Sequence, residues 1–305
     1  MPRYFEVDYL QDMSVHASLE TFSLFGKPLY RQAPTAEALA KQETLYGEAL
    51  ERYRLNPDDV DAIVWLGRRT AYLGRFSESA SIFSTAIEKH PLSPKPYRHR
   101  GHRFITLRRF DLAAEDLQRA AELIADQPDE MEPPGTPNEK NIGASSLHFN
   151  VWYHLGLAQY LRGKYWNAVQ AYRACMKVSE TDEKRVATSH WFYMALRRVG
   201  REIEAGRLLE PIRPEMEVGE NRHYHECLLM YKGLTAAEEL YERAKKMDGT
   251  GFVTIGYGVG NWYSYSGQRE KALEVLAEIQ ASSTWSGFGY IAAESDLKQF
   301  QRMVF

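Results

Sequence analysis

Cysteine is scarce in this 305-residue chain, at two residues, Cys175 and Cys227. One thiol on each of two predicted helices makes no disulfide framework, and this usage fits a reducing compartment. Apolar runs of roughly 18 residues, the signal of a transmembrane helix, are missing, so no such helix is expected. The opening stretch MPRYFEVDYLQDMSVHASLE has neither a basic n-region nor an uninterrupted apolar core. It does not read as a signal peptide, and a cytoplasmic location is the expectation. An excess of one charge is also lacking: 38 Lys+Arg against 41 Asp+Glu leave a net charge of −3. That balance gives no global pull toward nucleic acid or an anionic membrane, and neither is expected as a partner. No HExxH, CxxC or paired His–carboxylate spacing supports a metal site, so no metal and no cofactor are expected, though a histidine near Glu226 could serve acid–base chemistry.

What the chain does have is a repeat. Residues 61–91 and 95–125 carry the same pattern at a constant offset, pairing Gly67 with Gly101, Phe76 with Phe110 and Ala86 with Ala120. In the first unit Ile63, Leu66, Gly67 and Thr70 fall at i, i+3, i+4 and i+7, one stripe of a helix. Leu73-Gly74 makes the turn, and a second helix carries Phe76, Ala80, Phe83, Ala86 and Ile87 before His90-Pro91. Two amphipathic helices in a period of about 34 residues are the mark of a helical solenoid, in which each unit buries its apolar face on its neighbours. Small residues such as Gly67 and Gly101 allow the close helix approach that this stacking needs.

The pattern continues beyond an interruption. Residues 126–148, rich in proline and acid, read as an inserted loop, and Gly101 to Gly156 spans one repeat plus that insertion. Trp152, Leu155-Gly156, Gly163, Tyr165, Ala168 and Tyr172 restore the motif, and turn glycines at 163, 200, 233 and 267 keep the phase to about residue 281. Residues 1–34 form a non-repeat arm rich in aromatics, with a short helix expected near 12–20. Thr35 is the expected N-cap of a helix running to Leu55. The solenoid spans 35–283, and 284–305 is expected to be a terminal capping helix. The glycine-rich GFVTIGYGVG at 251–260 lacks the strand and the Lys-Ser/Thr of a phosphate loop and reads as a tightly packed helix.

This set of residues resembles the tetratricopeptide repeat family: Ile63, Leu66-Gly67, Phe83, Ala86 and Pro91 match its loose motif, as do Gly101, Phe104, Ala113 and Ala120. Arg100 stands where the family usually has Leu, and Ala125 replaces the closing Pro. The resemblance implies an all-α, right-handed α-α superhelix of about six helix-turn-helix repeats. It also implies that the first helix of each repeat lines a concave, ligand-holding face. Carried over position by position, that face comprises Arg68, Tyr72, Arg98, His99, His102, Asn150, Tyr153, His154, Arg197, Tyr231 and Asn261, with His190, Arg198, Tyr224 and Tyr257 also inward. The family's Lys/Asn clamp for a peptide carboxylate is not present as such, because Arg and His take most of those positions.

A cationic, aromatic face on a slightly acidic chain suits an anionic partner: an acidic peptide segment, a protein C-terminus or a small anionic ligand. The bland alternative is that Arg68, Arg69, Arg98, Arg100 and Arg103 pair internally with carboxylates such as Glu78, Asp111 and Asp116. A different class of reading is an enzyme using the His/Arg/Tyr face on a small anionic substrate, which calls for a closed, narrow pocket. The acidic loop MEPPGTPNEK could fold over the face as a lid or a self-ligand, or be a surface insertion. Self-association through the aromatic arm is a third reading.

Overall fold

The computed structural model describes residues 18–32, 34–135 and 145–302. Helices α1 (Ala36–Leu55), α2 (Val60–Tyr72), α3 (Phe76–Lys89), α4 (Pro94–Thr106) and α5 (Phe110–Leu123) precede the insertion. After it come α6 (Leu147–Leu161), α7 (Tyr165–Lys177), α8 (Asp182–Arg198), α9 (Glu202–Leu209) and α10 (Arg222–Tyr231). The series ends with α11 (Ala237–Ala244), α12 (Gly249–Tyr265), α13 (Arg269–Ala281) and α14 (Phe288–Arg302). From α2 to α13 the helices form six antiparallel pairs, each stacked on the next, with α1 covering the first pair. The fold is an all-α helical repeat, as the sequence implies. Among the described residues no helix is long and apolar enough to cross a membrane.

The pairs meet through the small residues singled out above. A Cβ at Gly156 would sit 2.6 Å from the ring of Tyr172, so only glycine lets α6 and α7 approach this closely. The turn inside each pair needs a left-handed residue, supplied by glycine at 74, 163, 200, 233 and 267. The second repeat departs from this: Arg108 occupies the turn with φ 62°. Thr35 caps α1, its side chain accepting from the Ala38 amide.

Two features differ from the sequence expectation. The helix expected near 12–20 falls mostly outside the described residues, and its last two positions belong to a strand. Strands β1 (Leu19–Phe22) and β2 (Pro28–Tyr30) form an antiparallel hairpin. The pull on this segment comes from Glu20, whose carboxylate accepts hydrogen bonds from the Phe76 and Ser77 amides at the start of α3. An anion at a helix N-terminus meets the positive end of the helix dipole. The hairpin also reaches the far end of the chain, because Trp285 donates its indole N–H to the Tyr30 carbonyl at 2.8 Å.

The second difference is α14. It does cover α12 and α13, but it also runs back to α6 and to the turns of earlier repeats. Ser295 donates to the Leu161 carbonyl, Tyr165 donates to Gln299, and Glu294 pairs with Arg108. Tyr290, Ile291, Ala292, Ala293, Glu294 and Asp296 are at most 2% exposed. The terminal helix is thus an internal element of the fold, shielding apolar surface that open-ended repeats would leave wet. Residues 303–305 of the expected cap lie outside the described residues.

Candidate functional site

The C-terminal half of the inward face is filled with its own side chains. Tyr193 stacks on Tyr231 with ring centroids 4.5 Å apart, and His190 stacks on Tyr224 at 4.6 Å. Tyr257 donates to the Asp296 carboxylate, which Arg198 pairs, and Arg198 donates in turn to Asn261. Burial raises the Asp296 carboxyl above its ordinary value even with Arg198 beside it. Of the residues expected to hold a ligand, Tyr231 and Asn261 are buried here. Arg197 lies over Tyr265 and pairs with Glu202. Helix periodicity places all three inward, but stacked aromatics surround Tyr231, Tyr265 lies over Arg197, and the Arg198–Asp296 pair closes over Asn261.

The N-terminal half is different. Helices α2 and α4 lie side by side and share a cavity of about 110 Å3, lined by Arg68, Ala71, Tyr72, Phe83, Arg98, His99, His102 and Arg103. Five of these were expected at the site: Arg68, Tyr72, Arg98, His99 and His102. Arg103, four residues after His99 on the same face of α4, is among the arginines for which the sequence suggests internal pairing. Among the described residues no carboxylate lies within salt-bridge distance of Arg68 or Arg103. Arg68 stacks over Trp65 at 4.2 Å, and Arg103 over Phe76 at 5.4 Å. Burial pushes the Arg103 guanidinium down to about 10.

Arg98 has a partner from the insertion. Its guanidinium meets the Glu132 carboxylate at 2.7 Å, and the Asn150 amide donates to the same carboxylate at 2.7 Å. The segment carrying Glu132 straps across the mouth. Arg68 donates to the Pro133 carbonyl and Arg69 to the Gly135 carbonyl. The acidic loop therefore does reach the basic face through Glu132–Gly135, while residues 136–144 of the expected lid lie outside the described residues. The fit is incomplete: Arg98 Nε and Glu132 Oε1 are both buried without a hydrogen-bond partner. Internal pairing accounts for Arg100, held by Asp116 at 2.7 Å, but Glu78 and Asp111 serve Arg75 and Arg162 instead.

The histidines beside the cavity are neutral. Burial, with Arg98 next, holds His99 and His154 well below the ordinary imidazole value, and burial with Arg103 does so for His102. Arg98 donates to His99 Nδ1, which leaves the His99 proton on Nε2. His154 donates from Nδ1 to the Asn150 carbonyl. His102 and His154 rings lie 4.3 Å apart, and both touch Phe288 at the start of α14. Asn150, Tyr153 and His154 border a second depression of about 280 Å3 with Lys184, Tyr224 and Phe288. Among the described residues no cluster of three His, Cys, Asp or Glu side chains could hold a metal ion.

No known family model matches the chain, and no curated protein matches it. Several solved structures are similar. One is described as YrrB, a TPR protein with an unusual peptide-binding site, at 14% identity over 78% of this chain and 95% of that one, TM-score 0.45. MamA from AMB-1 is similar at 16% identity over 62% of this chain and 96% of that one, TM-score 0.42. A Podosopora anserina putative kinesin light chain with nearly identical TPR-like repeats gives 15% identity over 74% and 94% of the two chains, TM-score 0.42. On its own geometry, with six stacked helix pairs joined by left-handed turns, this chain is an all-α helical-repeat solenoid.

Proposed function

We propose that the protein is an interaction scaffold whose N-terminal repeats hold an anionic peptide segment, chain terminus or similar anionic ligand. The observation that carries this reading is one cavity lined by Arg68, Arg98 and Arg103, with Glu132 the single carboxylate paired to any of them among the described residues. Guanidinium groups gathered at a small opening repel one another, and an arriving anion relieves that repulsion while taking fork-shaped hydrogen bonds. Tyr72, 40% exposed at the rim, adds apolar contact and a hydroxyl. Catalysis is the weaker reading. His99 and His154 already use Nδ1 on Arg98 and on the Asn150 carbonyl, and burial leaves both rings poor bases at neutral pH.

The test is fluorescence anisotropy with a labelled peptide ending in acidic residues, repeated across ionic strength. Binding is expected to weaken as salt rises and to drop about tenfold in Arg68→Ala, since one charge-assisted hydrogen bond contributes on the order of 1.5–3 kcal/mol. Circular dichroism of the variant should be unchanged. Salt-independent binding, or a folded Arg68→Ala protein that binds as well as the parent, would remove the proposal.

A further inference from the structure

The cavity between α2 and α4 has a charge count that narrows the ligand. Arg68, Arg98 and Arg103 line it, and among the described residues Glu132 is the one carboxylate within salt-bridge distance of any of them, while Asp61 and Glu130 on the adjoining depression pair with Lys95. Three positive groups and one negative leave an excess of two positive charges. His99 and His102 add nothing to that count at neutral pH, because burial keeps both unprotonated. Arg98 itself is 8% exposed, and its Nε has no hydrogen-bond partner. A single carboxylate would leave one guanidinium uncompensated in a half-dry site, where an unpaired charge is costly.

Size points the same way. A cavity of about 110 Å3 suits one compact anionic head, and whatever bears that head can extend into the adjoining depression of about 330 Å3 that Arg68 and His99 also line. A phosphoryl group is compact, carries close to two negative charges at neutral pH, and presents three acceptor oxygens. Arg68 on α2 and Arg98 and Arg103 on α4 all line the cavity; the Arg98 Nη groups are held by His99 and Glu132, which leaves its Nε, with the unpaired guanidiniums of Arg68 and Arg103, to meet phosphoryl oxygens. Tyr72 at the rim leaves an opening for whatever the phosphoryl group is attached to.

Resting on the anionic-ligand reading above, we infer that this cavity is a phosphoryl-dianion site formed by Arg68, Arg98 and Arg103. Arg103 is its least replaceable member, since it neither pairs with a carboxylate among the described residues nor anchors the strap. Its position without a counter-ion is explained as vacancy kept for the ligand's second charge. Stability is sacrificed for function at such a position.

The full chain, in a phosphate-free buffer, is titrated by calorimetry and by thermal melting with four probes. These are inorganic phosphate, a phosphoserine peptide, its unmodified parent, and the same peptide with glutamate at the phosphoserine. Phosphate or the phosphopeptide is expected to bind at least about tenfold more tightly than the glutamate peptide and to raise Tm through ligand linkage. Tighter binding of the phosphopeptide identifies a phosphomonoester as the ligand, whereas tighter binding of inorganic phosphate identifies the free ion. In Arg103→Gln the binding should fall about tenfold while the Tm of the unliganded protein stays level or rises, an opposition that a merely structural arginine cannot give. Equal binding of the glutamate peptide and the phosphopeptide overturns the dianion inference and leaves the anionic-ligand reading intact. Absence of binding by all four overturns both, and unchanged phosphate binding in folded Arg103→Gln overturns the placement of the site.

Discussion

Arg108 and Glu294, 186 positions apart, form a fully enclosed ion pair in which Nε and Nη2 both donate to one carboxylate oxygen, at 3.0 and 2.9 Å. The same guanidinium donates to the Thr106 and Trp285 carbonyls. Arg108 does this from a backbone conformation that every other described intra-repeat turn with a left-handed residue gives to glycine, with φ 62°. The strain of a side chain there is about 1–2 kcal/mol. Losing one partner of a buried pair costs about 3–5 kcal/mol. The pair outweighs the strain.

Replacing Arg108 with glycine should therefore destabilise the protein even though it relaxes the turn. A net loss of about 2–3 kcal/mol is expected, read as a lower urea midpoint. Arg108→Gly combined with Glu294→Gln should recover most of it, because no bare carboxylate is left inside. A single Arg108→Gly protein as stable as the parent would show that the pair does not hold α14.

Two glycines test the helix contacts in opposite directions. Gly156→Ala places a methyl 2.6 Å from the Tyr172 ring and should cost about 1–3 kcal/mol. Gly206, within α9, has nothing within 4 Å of an added Cβ, so Gly206→Ala should gain about 0.5–1 kcal/mol. Chemical denaturation of both variants decides it, and equal shifts would contradict the packing described for α6 and α7.

Acid should unfold this protein earlier than its carboxylates alone would require. Burial lowers His190 to about 3, with His99, His102 and His154 also held well below 6.5. Each is neutral when folded and takes a proton near 6.5 when unfolded. Their contribution is complete above about pH 6.5 and is lost as pH falls below it toward the folded values. Unfolding free energy measured from pH 7.5 to 5 should drop, and His190→Phe should flatten that slope by about one proton. A variant slope identical to the parent's would mean that His190 is not buried as neutral imidazole.

Much of the architecture can be read from residues 61–125 alone. The constant offset between Gly67 and Gly101 implies paired helices, and the glycines at 163, 200, 233 and 267 place later turns. The basic stretches WLGRRTAY and YRHRGHRF likewise mark the cavity that forms between α2 and α4. Periodicity reports which side of a helix faces inward but not what else arrives there. Tyr231 and Asn261 satisfy the pattern and are nonetheless enclosed: aromatics of α8 stack on Tyr231, and Asn261 meets Arg198, which pairs with Asp296 of α14, a helix from outside the repeat. A signal of that docking does exist: Arg108 stands one repeat length after Gly74, where the turn calls for glycine. Arg103 is masked for another reason, since the short run RHRGHR holds three arginines and two histidines and sequence alone does not sort the paired from the unpaired.

The hairpin and α14 together change what kind of object the repeat array is. A row of stacked helix pairs can ordinarily fray from either end, or gain and lose a unit with little harm to the others. Here Tyr30 near one end accepts from Trp285 near the other, and Glu294 is matched to the turn of the second repeat. An extra repeat unit would carry Glu294 away from Arg108 and strand both charges. The number of repeats is consequently fixed by electrostatics, and the chain should melt as a single cooperative body, not unit by unit.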